Sequence, residues 1–257
     1  MWVKVLKEFF WLWWDNFSKN IIVSILGFLG NIPTLFFTMG LFLFMRVPFE
    51  AIPTQEEINL FWIVIAILFG SSIFFPTQIG LLTVAKNFSS GEHKKFFAEF
   101  FDGIKQNLGK SILGTITGAI IYFLGVFAII FYSTMFGLMS IIGLILTVIT
   151  FWYLVVFTLF FVVLSLYIVF FPKDSIKTAI SRSWVIMMDN VFIVFLTILT
   201  IVPIFIFAFI SAVGMMLFYQ GLVNSLLVGM FVVILRKYKI IDTPEDTRTI
   251  KDIFKPF

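Results

Sequence analysis

The sequence predicts an all-α integral membrane protein: six transmembrane helices in three parallel two-helix repeats, each preceded by a cytoplasmic amphipathic helix in the membrane interface. Three observations carry this. Of the 257 residues, 61% are hydrophobic and only 12% are charged. Apolar runs that can cross a hydrocarbon core of about 30 Å, roughly 20 helical residues each, recur along the whole length. A polar and aromatic phrase, "EFFWLWWDN" at 8–16, returns as "EFFDGIKQN" at 99–107. The apolar runs are continuous and do not alternate, which selects helices over a barrel. The chain reads as one membrane domain, 1–257, with pseudo-repeats at about 1–86, 87–172 and 173–236 and a short cytoplasmic tail, 237–257.

In order, the first span covers about 20–45 and the second about 59–85. The third, about 110–132, and the fourth, about 136–171, are separated by the short break "YSTMFG". The fifth covers about 190–212 and the sixth about 214–236. The fourth stretch is longer than one crossing needs, so it must tilt, kink or project. The opening residues mix charges with aromatics and do not read as a cleavable signal peptide.

Charge sets the orientation. Lys4, Lys7 and Lys19 precede span one, and Lys86, Lys94, Lys95, Lys105 and Lys110 lie between spans two and three. Lys173, Lys177 and Arg182 lie between four and five, and Arg236, Lys237 and Lys239 follow six. Of the opposite loops, the first sets Arg46 against Glu50, Glu56 and Glu57, and the other two are uncharged. Positive charge stays on the cytoplasmic side, so both termini are expected inside. The sequence pI of 9.2 has the same origin and does not point to nucleic acid.

Sliding 1–30 onto 92–121 superposes Lys4 on Lys95, Glu8 on Glu99, Phe9 and Phe10 on Phe100 and Phe101, Asn16 on Asn107, Lys19 on Lys110 and Gly27 on Gly118. "FFP" ends span two at Phe74–Pro76 and span four at Phe170–Pro172, and a third copy starts near Lys173 with Asn190 as its asparagine. Segment 94–108 shows the interfacial helix: Phe97, Phe100, Phe101, Ile104 and Leu108 on one face, and Lys95, Glu99, Asp102, Lys105 and Gln106 on the other. Ser89 and Glu92 have capping-box spacing at its start. Such a helix serves as a topological anchor or, in three copies, as a shared cytoplasmic platform. Phe97, Phe101, Lys105 and Trp184 are the partner-binding candidates on it.

Catalytic chemistry is not expected. No ionisable residue lies well inside a span, which argues against proton coupling. His93 is the only histidine, cysteine is absent, and no nucleotide-binding or metalloprotease pattern occurs. No cofactor is implied. Two polar breaks remain: "GNIP" with Asn31 and Pro33 in span one, and "SSIFFPTQIG" with Pro76 and Thr77 near the end of span two. Each is either a packed kink or a cavity-lining break, and Thr77 and Gln78 read as interfacial. Gly114 with Gly118, and Gly221, Ser225 and Gly229, are spaced for close helix packing within the molecule.

The stretch "FFPTQIGLLTVAKNFSSGE…FFAEFFDGIKQNLGKSI" resembles the YesL-like family of bacterial membrane proteins through Pro76, Thr77, Gly80, Phe97, Phe101, Asn107, Lys110 and Ser111, and "FPKDSIKTAISRSW" suits that family's second cytoplasmic helix. The likeness covers about 70–185. It implies an accessory role beside carbohydrate uptake, with an ABC transporter subunit as partner. The expected function is therefore a non-enzymatic, partner-binding membrane component of a solute uptake system. The alternative is an autonomous passive permease or channel for a small neutral solute, with Asn31 and Thr34 on its path.

The lack of cysteine makes the orientation directly testable. In intact cells, a membrane-impermeant maleimide should label Ser140→Cys without permeabilisation and Ser175→Cys only after it. The opposite pattern would invert the topology.

Overall fold

The computed structural model describes residues 1–30, 55–90, 95–136, 140–210, 214–241 and 248. Every regular element among them is helical. In chain order these are α1 (Trp2–Asp15), α2 (Phe17–Gly30), α3 (Gln55–Ser72), α4 (Pro76–Ser90), α5 (Phe96–Met135), α6 (Ile141–Phe170), α7 (Ile176–Asp189) and α8 (Val191–Ile210). A π-helical turn, Met215–Tyr219, then leads into α9 (Gln220–Lys237).

Where six spans are expected, the described residues contain four helices long and apolar enough to cross a membrane: α5, α6, α8 and the segment ending in α9. The bent pair α3–α4 makes a fifth if it counts as one span. The expected first span is described only over its opening part, as α2. Asn31, Pro33, Thr34, Arg46, Glu50, Glu92 and His93 lie outside the described residues.

Three local expectations change. "FFP" at Phe74–Pro76 falls at a 41° break between α3 and α4, and the chain goes on as a helix beyond it. Pro76 has no N–H to give the carbonyl of Ser72, and Phe75 N–H takes that carbonyl at 3.3 Å in a tightened turn. The exposed carbonyl of Phe74 accepts from the buried Ser111 hydroxyl of α5, so the break is satisfied from the neighbouring helix. The second interfacial helix is not a separate element. It is the start of the 40-residue α5, about 60 Å long. Ser89 does not cap it, since α4 runs to Ser90 and Ser89 donates to the carbonyl of Lys86 at 2.6 Å.

The core sits among α4, the second half of α6, and α9. These three touch one another and carry most of the fully buried side chains, among them Ile79, Leu81, Leu82, Leu166, Ile168, Leu226, Met230 and Ile234. By contrast, α5 and α8 are buried only along a stripe. The outer helices pack on the inner ones in a fixed order. The start of α5 lies on α4 and its middle on α3, α7 lies on α6, α8 lies on α9 and α6, and α1 lies on α9.

Small residues permit these contacts. A Cβ on Gly118 of α5 would stand 2.2 Å from the Gly70 carbonyl oxygen of α3, so only glycine allows the approach. The small-residue spacing in α9 likewise serves contacts within the molecule: Ser225 bonds Asn20 of α2, and Gly229 lies against Phe9 of α1.

Candidate functional site

The three signature asparagines share one local geometry. Asn16, Asn107 and Asn190 are all buried. Each side-chain amide donates to the carbonyl four residues earlier: Leu12 at 3.1 Å, Gly103 at 3.1 Å and Ile186 at 2.8 Å. At Asn190 the reason is plain. Its own N–H has turned to Met187, and the side chain takes over the freed carbonyl of Ile186. Asn16 does the same between α1 and α2, where its N–H turns to Trp14. The carbonyls of both asparagines then accept the first bonds of α2 and α8. The residue thus ends one helix and starts the next without leaving a buried polar group unmade.

On the side carrying the lysines, the end of α9 holds two of these junctions. Arg236 makes a two-point bond to Glu8 of α1, at 2.6 and 3.2 Å, with both side chains only 13–14% exposed. Lys237 donates to Asn190 Oδ1 at 3.0 Å, and Asn190 Nδ2 donates to the Tyr238 hydroxyl at 2.9 Å. That hydroxyl donates to Asp189, and this bond with the Lys237 charge holds the Asp189 carboxyl below its ordinary range. The middle junction is tied to the end of α6, where Lys110 donates to the Pro172 carbonyl at 2.6 Å.

The faces of the interfacial segment differ from the sequence expectation. Glu99, expected on the solvated face, is 5% exposed and turned inward with Gly103 and Asn107. Phe100 packs over Gly80 of α4, where a Cβ would come within 2.9 Å of its ring. Phe97 and Phe101 point outward, 58% and 55% exposed, and Lys105 is exposed beside them. Trp184 of α7 is half out and meets Phe160 edge-on at 5.5 Å. Val3 and Trp14 of α1 and Val185 and Met188 of α7 are also outward. All three amphipathic segments therefore offer an apolar outer face.

A second polar group was not read from the sequence. Gln78 of α4 donates to Asn224 of α9 at 2.9 Å, and Gln220 donates to both Gln78 and Asn224. Ser24 of α2 accepts from Gly221 N–H at 2.7 Å. Gln78 thus bridges α4 and α9. Thr77 is half-buried beside Gly30 at the end of α2. Asn224 stands 12 residues before Arg236, about 18 Å along the helix. Its Nδ2 is buried with no hydrogen-bond partner. The amides in "YQGLVNS" signal this cluster, but the residues it joins are 142 and 146 positions apart.

Among the described residues, no group of three His, Asp or Glu is arranged to hold a metal ion. No family model, no curated protein and no solved structure matches this chain.

Removing one partner of a largely buried ion pair leaves the other charge unpaired. Because the pair keeps some solvent contact, Arg236→Ala should lower stability by about 1–3 kcal/mol, below the full buried-pair range. Thermal unfolding followed by tryptophan fluorescence in detergent reads this. Glu8→Arg combined with Arg236→Glu should recover part of the loss. Unchanged unfolding of Arg236→Ala would show that the pair contributes nothing.

Proposed function

We propose that this chain is a non-enzymatic membrane scaffold whose cytoplasmic interfacial segments dock a partner protein, as an accessory component of a solute uptake system. The observation that carries the reading is the outward placement of Phe97 and Phe101 at the start of α5, on the side where the lysines gather. Large aromatic side chains on a fixed helix bind partners at small entropic cost. The packing of α4, α6 and α9 supports the same reading, since their facing side chains fill the centre between them. Carbohydrate as the solute and an ABC transporter subunit as the partner rest on the resemblance to the YesL-like family alone.

The finer architecture belongs to this proposal. Three parallel units, each an interfacial helix and two spans, are supported by the common bond of Asn16, Asn107 and Asn190. They are also supported by the packing order, in which the opening helix of each unit lies on the closing helix of the unit before it. Cytoplasmic termini are supported by the lysine distribution, and a bacterial plasma membrane rests on the resemblance to the YesL-like family.

One observation favours a second reading, a passive path for a small neutral solute. The Gln78–Gln220–Asn224 cluster sits at a broken helix and retains an unpartnered amide donor. Broken helices with polar groups at mid-depth are a way to build a solute site.

An affinity pull-down from native membranes in mild detergent separates the two. Wild type should recover a transporter subunit, and a Phe97→Ala, Phe101→Ala double variant, eluting normally in size exclusion, should lose it. If both proteins return alone, the docking reading fails, and solute flux in liposomes with a Gln78→Leu control becomes the deciding experiment.

A further inference from the structure

The end of α1 carries a contact that partner docking alone does not account for. Asp15 is the last residue of that helix, and no basic residue lies in its last turn. A carboxylate there meets the negative end of the helix dipole, so the place calls for a cation. Arg248 supplies one from beyond the end of α9 at Lys237. Its guanidinium donates twice to Asp15, at 3.0 and 2.6 Å, and lies over the ring of Trp11, 4.1 Å from the ring centroid. A planar guanidinium can make a forked bond and stack on an aromatic face at the same time, which an ammonium cannot.

The end of α7 has a counterpart. Asp189 closes α7 as Asp15 closes α1, each just before a junction asparagine. Asp189 is held by Lys237, the last residue of α9, and by Tyr238 next to it. Asp15 is held by a residue that belongs to no helix. The Asp15 and Arg248 side chains are also 43% and 41% exposed, and an ion pair so open to water is weak and easily exchanged. The contact thus has the strength of a latch and not of a core element.

We propose, on the docking reading given above, that Arg248 is a releasable clasp: it ties the chain beyond α9 to the outer end of α1, and a partner that includes α1 in its docking face must first displace it. The tie is an autoinhibitory contact made within one chain. It covers the α1 arm of the platform and leaves Phe97 and Phe101 on α5 open.

Trypsin tests the clasp directly, because it must take the arginine side chain into its own acidic pocket and so competes with Asp15 for the same guanidinium. Full-length protein in nanodiscs, with both faces open to solution, is digested briefly and the products are read by mass. Asp15→Asn should be cut after Arg248 about three- to tenfold faster than wild type, since cleavage follows the released fraction. In pull-downs from native membranes, Asp15→Asn should recover more partner than wild type, by up to the same factor. Arg248→Ala leaves α1 itself unaltered and should raise the recovery equally. The proposal is overturned if Asp15→Asn is cut at the wild-type rate, or if it is cut faster while neither variant recovers more partner than wild type. If cleavage accelerates but wild type and both variants all return alone, the docking reading has failed, and the inhibitory role of the clasp fails with it.

Discussion

The docking of α1 on α9 brings the opening and closing helices of the described fold together, and the other contacts are arranged around it. The Glu8–Arg236 pair fastens one end of that contact. Further along, the chains come so close that a Cβ on Gly229 would lie 3.1 Å from the backbone nitrogen of Phe9. With this contact made, α4, α6 and α9 face inward against each other, and α5 and α8 are left with most of their surface outside. In a membrane that outer surface is supplied by lipid, so no further protein layer is needed to cover it.

A low-dielectric interior makes every unmet polar group costly, and the fold answers several of them locally, while Asn107 Oδ1 and Asn224 Nδ2 have no partner among the described residues. The carbonyl of Phe74, exposed by the break before Pro76, is met by Ser111. Carbonyls freed where α1 meets α2 and where α7 meets α8 are met by the asparagine at the junction. The Tyr122 hydroxyl of α5 pairs with Thr158 of α6. Amides gather where α4 crosses α9. The charge pairs among the described residues lie at the lysine-bearing end, Arg236 with Glu8 and Lys237 with Asp189 among them.

Much of this was legible in the sequence, and the rest was not for definite reasons. Sliding the chain on itself found Asn16 and Asn107, and the position of Asn190 followed, because each is needed for the same local bond. Gly118 stood out through helical spacing, and its partner Gly70 required the fold. The face of segment 94–108 was misjudged at Glu99 and Phe100. Amphipathic reasoning sends apolar residues inward, whereas here Phe97 and Phe101 are exposed and the small and polar residues Glu99, Gly103 and Asn107 are buried, with Gly103 against Thr83 of α4. The break at Phe74–Pro76 resembled a helix end, since proline marks both. The bridge from Gln78 to Gln220 and Asn224 has no periodic signal, as it joins helices far apart in sequence.

The most direct test of the α1–α9 contact exploits the absence of cysteine. Phe9→Cys and Gly229→Cys together set two thiols on either side of the contact where a Cβ on Gly229 would lie 3.4 Å from Phe9 Cα. Mild oxidation in native membranes should give an intramolecular bond in the monomer, seen as a reducible mobility shift and as loss of maleimide labelling. Free thiols after oxidation, or disulfides only between chains, would contradict the packing of the first helix on the last.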